Sequence, residues 1–447
     1  MNYIPHTDAD VRRALAAIGL SDLAELFQDV PKVLKDVELK LPSGMDEARL
    51  LEHLRGLAAK NRPGGTLLGG GVRQHFIPSV TPHLALRSEF VTAYTPYQAE
   101  VAQGVLQATF EYQTIMSELT GLPVSNASMY DGATAVAEAA LLALRQTRRN
   151  SVLVSRGVHP ESREVLATYL EPIGARIETI DLDELTTPPP QADEDVACVI
   201  AQNPNYLGYL EPMPALSKAA HANGALFIAV VDPLSLAVLR SPGEYGADIA
   251  VGDGQSLGNA VNLGGPHFGF MVVGEALLRQ LPGRLVGQTV DAQGRRAFVL
   301  TLQAREQHIR RSKAKSNICS NHQLTALMAA VNVSALGPAG LRDVAAKSAH
   351  NAHSLAERLT AADLAPLTGA AFFNEFVLPS PLPAAKLRSA LARRGVQAGV
   401  PVAASYQLGD AVVLSATELT GEQEMAELVS ALSDIARDAR PMETVHD

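Results

Sequence analysis

Residues 248–270 read DIAVGDGQSLGNAVNLGGPHFGF. A short apolar run (248–251) stops at a glycine-rich turn, and a second apolar run (269–273) follows. Working outward toward the N-terminus, comparable β-branched runs recur at 225–231, 196–201, 177–181 and 151–155. Helical stretches at 131–148, 160–170 and 214–222 separate most of them, and 99–119 reads as a helix before the first. Near-continuous apolar strands alternating with helices predict an α/β fold with a mostly parallel sheet, buried on both faces. Two more helices are expected at 303–313 and 321–336.

The flanks read differently. Gly337 and Pro338 break the pattern before a long helix through 358. Beyond it a strand (372–378), a helix (383–394), a strand (411–415) and a last helix (422–437) predict a small C-terminal α+β domain. At the other end, Thr7 or Asp8 caps a helix bearing Val11, Leu15, Ile18 and Leu20, and further helices are expected at 21–26 and 46–57. This segment has too little apolar surface to fold alone, so it is expected to be an arm. The predicted division is an N-terminal helical arm (1–62), a large α/β domain (63–336) and the small domain (337–447).

Between arm and sheet lies an irregular stretch, 61–100. Gly64, Gly65, Gly69, Gly70 and Gly71 cluster there, among Pro63, Pro78, Pro82 and Pro96. Long loops of this kind are uncommon unless functional, and His75, Phe76, Tyr94 and Tyr97 make this one a candidate site.

Composition excludes several classes. The 447 residues carry a net charge of −10, which disfavours a nucleic-acid partner, since that binding needs clustered Lys and Arg. Cys198 and Cys319 form no disulfide framework, and a reducing cytoplasm is the expected location. No signal peptide and no apolar run of about 18 residues is visible, so no membrane span is expected. The 12 histidines show no metal-ligand spacing, and His350 and His353 read as surface residues of one helix, so no metal is expected.

Six stretches carry a resemblance: TPYQAEVAQG (95–104), ASMYDGATAVAEA (127–139), QNPNYLGYLE (202–211), VGDGQSLGNAVNLGGPHFGF (251–270), RQLPGRLVGQTVD (279–291) and TLQAREQHIRRSKAKSNICSNHQLTALMAA (301–330). In order, and over nearly the whole chain, they resemble the P-protein family of the glycine cleavage system, in the alpha branch found where that enzyme is encoded as two chains. The resemblance implies a fold-type-I (aspartate aminotransferase-like) pyridoxal-phosphate fold. It implies decarboxylation of glycine with pyridoxal phosphate, and transfer of the aminomethyl group to the lipoyl arm of the H-protein. It also implies a beta subunit as partner, in an α2β2 assembly.

The residues can be read beside that resemblance. A pyridoxal-phosphate enzyme needs a Schiff-base lysine, an acid at the pyridine nitrogen and backbone amides for the phosphate. Asp232 ends the strand 225–231, where the ring acid belongs. The turn 126–132, with Ser128 and Asp131, precedes a helix, where a phosphate loop belongs. The lysine should lie near 250–260, yet no lysine occurs between Lys218 and Lys313. Alignment with the catalytic subunit puts Gln255 at its histidine and Ser256 at its lysine. A hydroxyl cannot form an imine, so the cofactor is expected on the partner. Lys313 and Lys315 are the remaining candidates, in a basic run that reads equally as a solvated or interface-facing helix end.

For the rest, each residue keeps two readings. Tyr94 and Tyr97 either orient substrate in the partner's site or pack at a helix start. Arg73, His75 and Gln98 either line the substrate channel or sit in a hydrogen-bonded loop. Ser128, Asp131, Asp232 and Ser256 are vestigial cofactor-site candidates, satisfied locally or facing the partner's cofactor. Residues 264–270 either meet a neighbouring chain or form a plain tight turn. Arg305, His308 and Arg310 are expected on one helix, with Arg305 and His308 sharing a face, as interface charges or a carboxylate contact. Two rivals stand beside the split enzyme: a stand-alone pyridoxal-phosphate decarboxylase with an unusual lysine, and a non-catalytic scaffold subunit.

Overall fold

A computed structural model of the chain describes residues 5–31, 34, 40–61, 66–92, 94–318 and 321–439. Cys319, Gly64 and Gly65 lie outside these residues. Two compact units are present, Met1–Pro63 and Gly64–Asp447.

The first unit holds helices Asp8–Ala17 and Glu47–Ala58 and the 3₁₀ turn Leu23–Phe27. Each starts where its sequence places a cap. Thr7 Oγ1 accepts from the Asp10 amide while Asp10 accepts from the Thr7 amide, and Asp46 Oδ1 accepts from the Arg49 amide at 2.9 Å. Leu50, Leu51, Leu54 and Leu57 of the second helix are all exposed.

The second unit is built on seven strands: β1 (Val124–Ser125), β2 (Ser151–Ser155), β3 (Arg176–Ile180), β4 (Val196–Asn203), β5 (Leu226–Val231), β6 (Ile249–Asp253) and β7 (Gly269–Val273). Their order across the sheet is β1-β7-β6-β5-β4-β2-β3. Every pairing from β3 to β6 is parallel, and only β7 runs against its neighbours. The expected α/β architecture is the observed one. Side chains alternate along β5, with Phe227, Ala229 and Val231 in one core and Ile228 and Val230 in the other. Both faces are therefore dry, which is why these strands read as unbroken apolar runs.

The helix Gln323–Ala361 turns at Gly337 (φ 64°), followed by Pro338, where the sequence indicates a break. Among the described residues it alone is long and apolar enough to cross a membrane. Its Ala326, Ala329, Ala330, Leu341 and Ala345 lie in the core beside Phe227, so we read it as a core helix.

C-terminal to it, Glu375–Pro379, Ala411–Ser415 and Val400–Pro401 form a three-stranded antiparallel sheet, order first-second-third. Leu387 and Leu391 of helix Ala384–Arg393 and Leu428 and Leu432 of helix Glu422–Ala439 cover it. The glycine-rich loop is stitched to this sheet. Thr66–Leu67 pairs in parallel with Gln397–Ala398, and Ser415 Oγ donates to the Leu68 carbonyl at 2.7 Å.

Two regions differ from the sequence reading. The hairpin Val286–Val290 with Arg296–Leu300 closes around a turn held by Asp291, which accepts from the Gln293 and Arg295 amides. The expected helix 303–313 is instead three short turns, Gln303–Arg305, Gln307–Arg310 and Arg311–Lys313. Glu306 is extended between the first two, and the Arg305 guanidinium donates to the Leu302 and Gly283 carbonyls, anchoring the bend. Arg305 and His308 therefore share no helical face.

The two sheets meet at Gly208. Its φ is +95°, and a Cβ there would lie 2.1 Å from the Glu375 carbonyl oxygen. Gly208→Ala should lower stability by about 3 kcal/mol or more, combining backbone strain with a clash against fixed backbone. Gly174, at φ +74° with nothing within 4 Å, should lose only about 1–2 kcal/mol as Ala. Denaturant midpoints of the two variants provide the comparison.

Candidate functional site

The loop after β6 places Ser256 in the 3₁₀ turn Gln255–Leu257, facing the end of β5. Ser256 Oγ donates to Asp232 Oδ1 at 2.6 Å, and the Leu234 amide donates to the same oxygen at 3.1 Å. The other oxygen of Asp232 pairs with the Arg73 guanidinium. Arg73 also reaches Glu375 Oε2 at 2.8 Å, and the Gly71 amide donates to Glu375 Oε1 at 3.2 Å. The Gln255 side chain clamps the Arg73 backbone from both sides, accepting from its amide at 3.2 Å and donating to its carbonyl at 2.9 Å. Burial works against the Arg73 charge, but Glu375 and Asp232 outweigh it and hold the guanidinium firmly protonated.

The turn before helix Gly132–Thr147 is the other half of this region. Asp131 caps the helix, accepting from the Thr134 amide at 2.7 Å. The Gly132 amide, a natural anion donor, points instead at Asp253 Oδ2, 3.3 Å away. Asp253 also accepts from the Gln255 amide at 3.0 Å. Ser128 is fully buried at φ 128°, a strained value for a residue with a Cβ. Its hydroxyl and the Ala127 carbonyl are fixed by Asn321 Nδ2, each at 2.8 Å.

These residues can be tested against the cofactor that the fold implies. A pyridinium needs an acid with no better partner, and a phosphate needs free amides. Here the acid is paired with Arg73, a carboxylate sits on the first helix amide, and the residue donating to the acid is a serine, with no lysine between Lys218 and Lys313. The groups present do not fit pyridoxal phosphate. Lys313 does not repair this, being exposed on the turn Arg311–Lys313.

Arg73 and His75, read either as channel residues or as members of a hydrogen-bonded loop, are turned inward. Each is under a tenth exposed. His75 Nδ1 lies 2.8 Å from Glu418 Oε2, which holds that carboxyl below its usual range although burial alone would raise it. The physical reason is general: a charged side chain buried by folding has to find a counter-charge. Gln98, Tyr94 and Tyr97 behave differently. Gln98 is exposed before the turn Ala99–Val101, Tyr94 is 80% exposed and Tyr97 48%. Tyr97 packs edge-on to His308, and its hydroxyl accepts from Arg284 at 3.3 Å. Tyr94 and Thr95 line a cleft of about 270 Å³ with Pro266, Arg284, Asn321 and His322.

Arg284, Asn321, Asp253 and Glu375 escaped the sequence reading. Arg284 and Asn321 lie in stretches that carried the resemblance, but linear spacing gives no sign that either approaches Tyr97 or Ser128. Glu375 carried no signal, since one acid at the start of a strand is common.

Comparison with known proteins shows the family. The family model for the glycine cleavage system P-protein matches residues 1–432. Probable glycine dehydrogenase (decarboxylating) subunit 1 of Moorella thermoacetica is 49% identical over 442 residues, covering 97% of this chain and 100% of the relative. Its counterpart in Carboxydothermus hydrogenoformans is 48% identical, covering 97% and 99%. A crystal structure of glycine decarboxylase (P-protein) of the glycine cleavage system, in inhibitor-bound form, is 54% identical, superposes with a TM-score of 0.91, and covers 97% of this chain and 100% of that one. An aspartate aminotransferase from Thermus thermophilus, 17% identical with a TM-score of 0.58 over 84% of this chain and 100% of its own, shows the fold alone, that of the fold-type-I pyridoxal-phosphate enzymes. The chain belongs to the P-protein family of the glycine cleavage system, among the subunit 1 chains of glycine dehydrogenase (decarboxylating).

Proposed function

We propose that this chain is the half of a two-chain glycine decarboxylase that lacks the Schiff-base lysine. A beta subunit supplies the lysine and holds pyridoxal phosphate. The pair, as an α2β2 assembly in the cytoplasm, decarboxylates glycine and passes the aminomethyl group to the lipoyl arm of H-protein. The observation that carries this reading is the Arg73–Asp232 ion pair beside Ser256. It occupies with the chain's own groups the place where a cofactor ring would sit.

What this chain contributes is read from its exposed aromatic loop. Tyr94 and Tyr97 are open to solvent while Arg73 and His75 of the same loop are buried and paired. The buried part fixes the loop, and the exposed part is presented toward a neighbour's site. A tyrosine hydroxyl there orients the substrate or supports proton transfer to the departing amine. A filled cradle also favours the scaffold reading, in which the chain only stabilises its partner.

Three measurements decide among these. Mixed with pyridoxal phosphate, the purified chain alone should stay colourless and show no glycine–bicarbonate exchange, and mixing with the beta subunit should give an active yellow complex. A yellow, active chain alone would instead send the search to Lys313 and Lys315. Ser256→Lys alone should remain colourless, because Arg73 still holds Asp232 and Asp253 still caps the helix. A band from bound cofactor in that variant would show that the cradle is open rather than filled. Tyr97→Phe, in a complex intact by gel filtration, should lower exchange roughly 10²-fold, and Tyr94→Phe should lower it as well. Full activity in both variants leaves the scaffold role as the correct one.

A further inference from the structure

The exposed Tyr97 is tied to the central sheet through two intervening side chains, Arg284 and Asn321. The Arg284 guanidinium forks between them. Nη2 donates to Tyr97 Oη and Nη1 donates to Asn321 Oδ1, each at 3.3 Å. The guanidinium carbon also lies 5.5 Å from the centroid of the Tyr97 ring, and the His308 ring packs edge-on to that ring with centroids 5.9 Å apart. Tyr97 is thus held both at its hydroxyl and at its ring.

Asn321 carries the tie inward. Its Nδ2 donates to the Ala127 carbonyl and to Ser128 Oγ, each at 2.8 Å. The turn that receives these bonds is fixed on β7. The Asn126 amide donates to the Met271 carbonyl at 3.2 Å, and Met129 exchanges both backbone bonds with Gly269, at 2.7 and 3.2 Å. The Ala127 amide donates to the Arg284 carbonyl at 2.9 Å, so the arginine's backbone and its head are anchored to the same turn. A strained residue such as Ser128 keeps its conformation only where its surroundings over-determine it, and this turn meets that condition. A tyrosine that is 48% exposed would otherwise exchange between staggered rotamers.

We propose that Asn321 and Arg284 are positioning residues for Tyr97, carrying the fixed geometry of the turn 126–129 to the hydroxyl of an exposed side chain. Their role rests on the reading of Tyr97 as a group that enters the partner's site. The turn that reads as a phosphate loop serves here as an anchor. A guanidinium suits the post because its planar fork meets two oxygens at once, whereas a lysine ammonium is a single point of charge on a flexible stem. Support of this kind matters for rate, since misplacing a group by about 1 Å can cost about 10²-fold.

The complex assembled with the beta subunit is assayed for glycine–bicarbonate exchange. Asn321→Ala should lower kcat/KM about tenfold, with the loss divided between kcat and KM as it is in Tyr97→Phe. The double variant Asn321→Ala/Tyr97→Phe should be no slower than Tyr97→Phe alone, since the hydroxyl to be positioned is already gone. Arg284→Lys, which keeps the charge and loses the fork, should be slowed about as much as Asn321→Ala. In parallel, the full-length chain alone is labelled with ¹³C at tyrosine Cζ, and the Tyr97 signal is identified by its loss in Tyr97→Phe. Asn321→Ala should move that signal and leave those of Tyr209 and Tyr245, buried against Phe372 and Phe227, in place. Circular dichroism and gel filtration establish that each variant is folded and assembled. Should Asn321→Ala not fold, Arg284→Lys takes its place in both measurements. The proposal is overturned by wild-type exchange in Asn321→Ala where Tyr97→Phe is slow, by additive losses in the double variant, or by an unmoved Tyr97 signal in the folded chain. Full activity in Tyr97→Phe overturns instead the reading of Tyr97 as a group of the partner's site, and the ¹³C signal alone then decides whether Asn321 holds it.

Discussion

Arg73 lies between two carboxylates from different parts of the chain. Asp232 follows β5 of the seven-stranded sheet, and Glu375 begins the first strand of the small sheet. The guanidinium itself hangs from the glycine-rich loop, whose backbone is pinned by Gln255 on one side and paired with Gln397–Ala398 on the other. One cation therefore ties three pieces of structure to one point. Removing one member of such a buried pair leaves a naked charge, a cost of about 3–5 kcal/mol. The position of the loop, and with it the display of Tyr94 and Tyr97, depends on that constraint.

The same interaction fills a cradle of this fold with the chain's own groups. A fold-type-I cradle is shaped for a ligand that is positive at one end and negative at the other. Left vacant, it would expose an acid and a row of amides to a dry interior, each in need of a partner. Here Arg73 meets the acid and Asp253 meets the first helix amide. Ser256 adds a hydroxyl to Asp232 and brings no charge of its own. The acid and the first helix amide of the cradle are thus met from within the chain. Gly208 serves this arrangement indirectly, since only a residue without Cβ lets Glu375 approach the end of β4.

Arg284 differs from Arg73 in its partners, since its guanidinium donates to the neutral oxygens of Asn321 and Tyr97. Around the cradle and its loop, buried carboxylates have partners: Asp232 and Glu375 in Arg73, Glu418 in the His75 ring nitrogen.

The sequence by itself determined the α/β class, most strand positions, the break at Gly337 and the absence of a lysine near 250–260. These are local or compositional facts: strands buried on both faces must be apolar, helix starts need caps, and an imine needs an amine. It also singled out the glycine-rich loop and the pairs Asp232/Ser256 and Tyr94/Tyr97. It failed at 303–313, where Arg305 bonds to the Leu302 and Gly283 carbonyls and a bend replaces the helix, and at the hairpin Val286–Leu300, whose strands pair across a polar turn. Only the tertiary structure decided that Arg73 faces Asp232 across 159 positions of chain, that Asp253 reaches the Gly132 amide, and that Arg284 is left without a counter-charge. Pairings at such separations are set by the packing of the two sheets and the loop between them. A side chain's partner in a dry interior is whichever group that packing brings within reach, and spacing along the chain does not encode it.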